Sequence, residues 1–221
     1  MVDIITCVRN GEKYLNQCIE SILNQTYEDF TYYIVDNASS DNSKKIIEDY
    51  QEKNDRIIYL YQPIKGLSRS LNLAINASKN EYMCFLDADD LYHPKKINKQ
   101  IEFLYEKEDY EICFTHLQEF SDNEETSLIL KPRREVLDGI SKCSILFKRS
   151  IINQIGLFDE QVEIDFVEWF SRVIRKEIQY AVIPEVLCFR RIHDMNMTKN
   201  IDKSKYLEVL KMHLHARANQ K

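Results

Sequence analysis

Glu81-Tyr82-Met83-Cys84-Phe85-Leu86-Asp87-Ala88-Asp89-Asp90 is the stretch on which the reading of this chain turns. Tyr82 to Leu86 is a short apolar run with the length and aromatic content of a buried strand. Three carboxylates then follow within four positions. Ionised carboxylates are costly to bury unpaired, so the cluster is expected just past the strand's end, at an opening. Asp87 and Asp89 can converge there on one point. Hard oxygen ligands of this kind suit Mn²⁺ or Mg²⁺, above all an ion that also holds a substrate's phosphates. The plainer reading is an acidic turn that caps the helix begun at His93-Pro94. From the run alone both readings stand.

On the N-terminal side of this run, strand and helix patterns alternate. Val2 to Val8 reads as a strand. A helix follows with Tyr14, Leu15, Cys18, Ile19, Ile22 and Leu23 at three-to-four spacing. Phe30 to Val35 is a second strand ending at Asp36, and Ser39-Ser40-Asp41 is expected to cap a helix to about Tyr50. Ile57 to Tyr61 is a third strand, and Gly66 and Ser68 open a helix with Leu67, Leu71, Ala74 and Ile75 on one face. The succession predicts an α/β fold, a Rossmann-like, open, mainly parallel sheet with helices on both faces. Such sheets bind ligands beyond the carboxyl ends of their strands, at a switch in strand order. Arg9-Asn10, Asp36-Asn37 and Asp87-Ala88-Asp89 all fall at those ends.

On the C-terminal side, Pro94 to Lys107 reads as a helix and Ile112 to Phe120 as a strand, followed by a polar turn from Ser121 to Glu125. Cys143 to Phe147 is strand-like, and a helix from Ser150 ends at Gly156. Phe166 to Ile174 is helical. Gln179 to Ile183 is a strand stopped by Pro184, and Cys188 to Ile192 is a last strand ending at His193. An amphipathic helix is expected from Asp202. No repeat or linker interrupts the chain. One domain over 1–221 is expected, with 1–90 as its nucleotide-binding half and 91–221 as its acceptor side.

Composition narrows the partners. The 221 residues fit one large domain. A net charge of −6 argues against a nucleic-acid surface. The six cysteines show no CxxC spacing, which argues against a cysteine metal site. Cys7, Cys84, Cys113 and Cys188 lie in apolar runs and read as small buried hydrophobes, consistent with a reducing, cytoplasmic setting. No apolar run approaches the roughly 20 residues of a membrane span, and Asp3, Arg9 and Glu12 interrupt any signal peptide.

Several stretches together resemble the family 2 inverting glycosyltransferases of the GT-A fold. Val2-Asp3-Ile4-Ile5-Thr6-Cys7-Val8-Arg9-Asn10-Gly11-Glu12-Lys13-Tyr14-Leu15 is similar to that family's first strand and turn, with Cys7 at a usual proline and Arg9 at a frequent tyrosine. Ile19-Glu20-Ser21-Ile22-Leu23-Asn24-Gln25-Thr26-Tyr27 resembles its first helix. Val35-Asp36-Asn37-Ala38-Ser39-Ser40-Asp41-Asn42-Ser43 is similar to VDDGSTDNT, with Asn37 for the second aspartate and Ala38 for glycine. Phe85-Leu86-Asp87-Ala88-Asp89-Asp90 matches the DxD segment. Ile155-Gly156-Leu157-Phe158-Asp159-Glu160, Asp165 to Arg172, and Arg190-Arg191-Ile192-His193-Asp194-Met195-Asn196 resemble later motifs of a short bacterial subgroup.

The resemblance implies a metal-dependent enzyme that moves a sugar from a nucleoside-diphosphate sugar to an acceptor hydroxyl, an acceptor the residues do not identify. Surface glycan or glycoconjugate synthesis is the setting it suggests. Asp89 is expected on the metal, Asp87 on the metal or ribose, and His193 as a further ligand. A histidine bonded to backbone at a sheet edge is the alternative for His193. Asp36 is expected to accept from a ring N–H of the base, favouring a UDP- or dTDP-sugar, unless it merely caps the next helix. Asn37 brings both donor and acceptor. Arg9 would stack on the base or meet phosphate, or else is an exposed structural arginine. With Cys7 at the same edge, these residues and Asp87 make the expected donor-binding set.

The family's base falls at Asp165, here the shorter acid, with Glu168 three residues on as the alternative. Trp169 reads as core rather than as a sugar-stacking platform, and one of Arg190 and Arg191 is expected to face the cleft and hold phosphate while the other is a solvated face. Two other functions stay open. A catalytically silent sugar-nucleotide binding protein would fit the changes at Cys7, Asn37 and Ala38. A nucleotidyltransferase would need a glycine-rich N-terminal loop, and only Gly11 precedes residue 66.

Overall fold

Alternation along the first strand builds two cores at once. The computed structural model describes residues 1–122, 132, 135–137 and 139–196. In strand β1 (Val2–Val8), Val2, Ile4 and Val8 face one core while Ile5 faces the other. Strands β2 (Phe30–Asp36) and β4 (Tyr82–Phe85) do the same, Tyr32 and Cys84 on one side, Tyr33 and Met83 on the other. Sheets buried on both faces read as near-continuous apolar runs, which is how these segments look in sequence.

Helices α1 (Leu15–Leu23), α2 (Ser43–Gln51) and α4 (Lys96–Glu106) cover the first face through Ile19, Ile47 and Ile101. Helices α3 (Leu67–Ala77), α5 (Ser150–Ile155) and α6 (Asp165–Arg175) cover the second through Leu71, Ile151 and Trp169. Trp169 is fully buried, stacked on Phe158, and its indole N–H donates to the Gly156 carbonyl. The expected helices on both faces are therefore present.

The remaining strands are β3 (Ile57–Tyr61), β5 (Leu91–Tyr92), β6 (Ile112–Phe120), β7 (Leu146–Lys148) and β8 (Tyr180–Arg191). All eight join one sheet in the order β3-β2-β1-β4-β7-β6-β8-β5. β1 pairs parallel with both β2 and β4, β2 with β3, and β6 with β8. β7 runs antiparallel between β4 and β6, and β5 is antiparallel to β8. The chain winds outward from β1 to β3 and then returns to β4 on the other side. A crevice follows between the carboxyl ends of β1 and β4, the usual ligand position in such sheets.

Three local expectations change. Pro184 does not stop a strand: β8 runs on through it. Ile183 pairs with Thr115 and Val186 with the next residue, His116, so a bulge takes up Pro184, whose missing N–H would break a regular ladder. The strand expected from Cys143 begins instead with a 3₁₀ turn, Lys142–Ser144, and only then becomes β7. Helix α2 starts at Ser43 rather than at a Ser39–Asp41 cap. Its entry is tied by Asp41, which accepts from the Ser43 N–H, and by Glu12, which accepts from the Asn42 N–H. The helix expected from Asp202 and residues 123–125 of the expected turn lie outside the described residues.

Candidate active site

Past Phe85 the chain leaves β4 and the three carboxylates separate. The Asp87 and Asp89 side chains are 43% and 29% exposed, so two of the three stand at the opening. Asp90 turns inward. It is buried and accepts from the Arg191 N–H at 2.9 Å, and burial pushes its carboxyl well above the usual range.

The end of β8 brings His193 to Asp89. His193 Nε2 lies 2.8 Å from Asp89 Oδ2, and Asn196 Nδ2 donates to the same oxygen at 3.2 Å. Asn196 Oδ1 accepts from the His193 N–H at 2.7 Å, and the Tyr14 ring packs on the imidazole. Nδ1 accepts from the Met195 N–H at 3.2 Å, which in the neutral ring puts the proton on Nε2, toward Asp89. Ligation through Nε2 therefore requires that proton to move to Nδ1 and the Met195 contact to open.

The expected ligands Asp87, Asp89 and His193 are two carboxylates and one imidazole, donor types that suit Mn²⁺ and less well Mg²⁺. Among the described residues no three His, Cys, Asp or Glu side chains come together as a group that could hold an ion by themselves. One or two carboxylates are what a protein offers an ion shared with substrate phosphates.

Asp165 opens α6. Oδ1 accepts from the Phe166 N–H, whereas Oδ2 is buried with no hydrogen-bond donor. Glu168 does not share that freedom. It is buried and accepts from Arg172 at 2.9 Å, an i,i+4 pair that also braces the carbonyls of Ile155 and Leu157. Of the two acids considered as base, Glu168 is committed to Arg172, whereas Asp165 Oδ2 accepts no hydrogen bond.

Sequence reasoning missed Lys142. Its ammonium lies 3.0 Å from Asp87 Oδ1 and 3.8 Å from Asp165 Oδ2. Burial works against its charge, but Asp165 and Asp87 outweigh burial and hold the group protonated far above the usual lysine range. The signal available in sequence is a lone charge between Ile140 and the apolar run Ile145-Leu146-Phe147. Cys7 sits beside this trio, its thiol pushed far up by burial. Cys84, Cys113 and Cys188 are buried and, like Cys7, free.

The second strand end looks inward. Asp36 is buried, accepting from the Ser39 N–H at 2.9 Å and the Tyr59 hydroxyl at 3.4 Å. Asn37, expected among the donor-binding residues with both donor and acceptor, has both N–H groups used, on the Ile64 carbonyl and the Ser70 hydroxyl, and its Oδ1 accepts from the Gly66 N–H. It clamps the entry to α3. Arg9 is exposed. Arg191 corrects the expectation of one cleft-facing and one solvated arginine. It is buried between Tyr14 and Phe120 and donates to the Asp89 carbonyl, Gln17 and Asp122, holding the carboxylate loop from beneath. Arg190 is partly exposed beside Glu119.

Ala38 lies at φ +55°, in the left-handed region that favours glycine. Strain there is about 1–2 kcal/mol for a side chain, against about 0.5–1 kcal/mol for glycine's extra unfolded-state entropy. Ala38→Gly should therefore stabilise the protein by up to about 1.5 kcal/mol in urea denaturation; a loss of stability would show that the Ala38 methyl packs usefully.

Next to Asp165 a cleft of about 390 Å³ opens between the start of α3 and the 160–165 loop. Lys65, Gly66, Arg69, Glu160, Val162 and Asp165 line it, with Arg69 paired to Glu160 at 2.9 Å.

With this geometry in hand, known proteins are informative. The family model for glycosyl transferase family 2 matches residues 3–179. The chain is 28% identical over 229 residues to an uncharacterized glycosyltransferase of Methanocaldococcus jannaschii, covering 97% of this chain and 79% of that one. It is 32% identical over 214 residues to an uncharacterized glycosyltransferase of Rickettsia typhi, covering 90% and 66%. Among solved structures it resembles S. aureus TarS in complex with UDP-GlcNAc (TM-score 0.79, 16% identity, 96% of this chain and 65% of that one). It also resembles a mannosyltransferase of Pyrobaculum calidifontis in complex with GDP-Man and Mn²⁺ (TM-score 0.74, 16% identity, 100% and 64%). At these identities the two structures speak for the fold, which is GT-A. No described helix is long and apolar enough to cross a membrane.

Proposed function

Because the chain belongs to glycosyl transferase family 2, we propose that it transfers a sugar from a UDP- or dTDP-linked donor to an acceptor hydroxyl with inversion, assisted by Mn²⁺ or Mg²⁺. The observation that carries the reading is a pair of contacts between distant parts of the chain, Asp89 with His193 and, through Lys142, Asp87 with Asp165. Asp87, Asp89 and His193 would hold the ion. When bound, it would stabilise the charge that grows on the leaving diphosphate.

The chain's own residues do the rest. Arg191 and Asn196 hold the carboxylate loop in place, through the Asp89 carbonyl and the Asp89 carboxylate. The acceptor enters the cleft beside α3, and its oxygen forms a bond to the anomeric carbon. The bond from that carbon to the diphosphate oxygen breaks, and its electron pair leaves with the nucleoside diphosphate. The acceptor's proton passes to Asp165 Oδ2, the carboxylate oxygen that has no other donor. Attack opposite the leaving group inverts the anomeric centre.

Asp36 supports a pyrimidine donor. Its two bonds leave part of a carboxylate's roughly four acceptor positions for a ring N–H at the end of β2. UDP or dTDP should bind at least about tenfold tighter than GDP or ADP in the presence of Mn²⁺, the scale of a hydrogen bond to a charged group. Calorimetry on the four nucleotides checks this, and a purine preference would remove Asp36 from base recognition. The experiment for the function itself is release of nucleoside diphosphate from a panel of sugar nucleotides with Mn²⁺, water serving as acceptor. Turnover of at least one donor is the expected result. Tight binding without any turnover would favour a silent sugar-nucleotide binding protein instead.

A further inference from the structure

We propose that Lys142 is a positioning residue, a fixed cation that holds Asp87 in the resting protein and so makes a divalent ion and the donor's diphosphate bind as one unit. This rests on the glycosyl-transfer reading above and adds to it the way in which charges assemble at the site.

The ammonium is held by a built turn rather than by a loose surface chain. Lys142 begins the 3₁₀ turn that leads into β7, and β7 runs antiparallel to β4 with Leu146 opposite Cys84. The turn therefore passes the mouth of the strand that delivers Asp87. Just before it, Gly139 (φ +69°) lies so close to β6 that a Cβ would stand 1.9 Å from the Thr115 carbonyl oxygen. The Ser144 hydroxyl donates to the Gly139 carbonyl. Buried Gln100 closes the turn from behind, donating to the Ser144 carbonyl at 2.9 Å and the Cys113 carbonyl at 3.0 Å. The Lys142 side chain is 11% exposed.

The charges it joins come from opposite halves of the reaction. Asp87 belongs to the donor side and Asp165 to the acceptor side, and Lys142 is the one cation paired with both among the described residues. A dication arriving alone at Asp87 would stand within a few ångströms of the ammonium, and repulsion at that range is strong in a partly buried site. A nucleoside diphosphate reverses the sign, because its phosphate oxygens attract both cations. Lys142 thus opposes the bare ion and accepts the ion that comes with diphosphate. By linkage, the ion must then raise diphosphate affinity by the same factor.

The test is calorimetric titration of the full chain with Mn²⁺ alone, with UDP alone, and with Mn²⁺ in saturating UDP. Parent, Lys142→Met and Lys142→Arg are compared. Lys142→Met should bind Mn²⁺ alone at least about tenfold tighter, and the factor by which UDP improves Mn²⁺ binding should fall by a similar amount, within the usual range of coupling between sites. Lys142→Arg should behave as the parent. A merely structural ion pair would change stability without changing this coupling. Lys142→Gln removes the same charge, and it carries the same expectation if the methionine variant misfolds. Unchanged Mn²⁺ affinity and coupling in a folded charge-removed variant, with Mn²⁺–UDP binding intact, would overturn the proposal and leave the functional reading standing. A parent that binds no nucleoside diphosphate with Mn²⁺ would instead sink the functional reading, and the proposal with it.

Discussion

Asp165→Asn is expected to lower donor turnover by about 10²-fold or more, the usual scale for a lost general base, while Mn²⁺ and UDP affinities stay at parent values. The expectation follows from the two oxygens of Asp165. Oδ1 is occupied by the Phe166 N–H, and Oδ2 is buried without a donor. An amide keeps the shape and the N-terminal helix contact but cannot take up the acceptor's proton. Because the aspartate is one methylene shorter than the subgroup's glutamate, Asp165→Glu should retain measurable turnover if the acceptor can shift. Glu168→Gln is the control. Glu168 is paired with Arg172 inside the α5–α6 contact, so its loss should lower stability and leave turnover close to parent. Parent-like turnover in Asp165→Asn would remove Asp165 from proton transfer.

Asp89→Ala is expected to abolish Mn²⁺-dependent nucleotide binding and to lower turnover by about 10³-fold or more, since Lewis-acid stabilisation amounts to several kcal/mol and each 1.4 kcal/mol is tenfold. Asp89 also receives His193 and Asn196, so alanine frees the imidazole and the amide as well as removing the charge. Asp89→Asn separates the two effects. It removes the charge while leaving an oxygen for both contacts, and it should lose ion binding nearly as fully with little change in stability. Calorimetry with and without EDTA measures the binding, and far-ultraviolet circular dichroism checks the fold. Parent affinity for Mn²⁺ with UDP in Asp89→Asn would place the ion elsewhere.

The parts of the fold that were legible in sequence are those written locally. Val2 to Val8 and Tyr82 to Leu86 show their burial as apolar runs, and α1 shows its inward face at three-to-four spacing. Their order implies a switch in strand order, and that switch puts Asp87 and Asp89 at the crevice. His193 was expected as a further metal ligand from a resemblance and not from spacing; its direct contact with Asp89 joins residues far apart in the chain.

What sequence did not show depends on the same kind of distant contact. Lys142 meets Asp87 and Asp165 only because β7 lies antiparallel beside β4, and the lone charge beside an apolar run does not say which partners it meets. Arg191 looks like a surface charge until Tyr14 and Phe120 are seen on either side of its guanidinium. Asn37 offers free hydrogen bonds on paper, yet the start of α3 takes its two N–H groups. Pro184 reads as a stop because a local rule cannot see that β8 bulges at Pro184 while β6 keeps the pairing on either side.

Asp89, with Asp87 and His193, is proposed to hold a divalent ion against the donor's diphosphate. A crystal of the full chain grown with Mn²⁺ and UDP, with anomalous scattering recorded at the manganese edge, tests this. One anomalous peak is expected within coordination distance of the Asp89 carboxylate and of the diphosphate, with the pyrimidine at the end of β2. A bound diphosphate in the crevice with no manganese beside Asp89, or manganese held elsewhere on the chain, would contradict it.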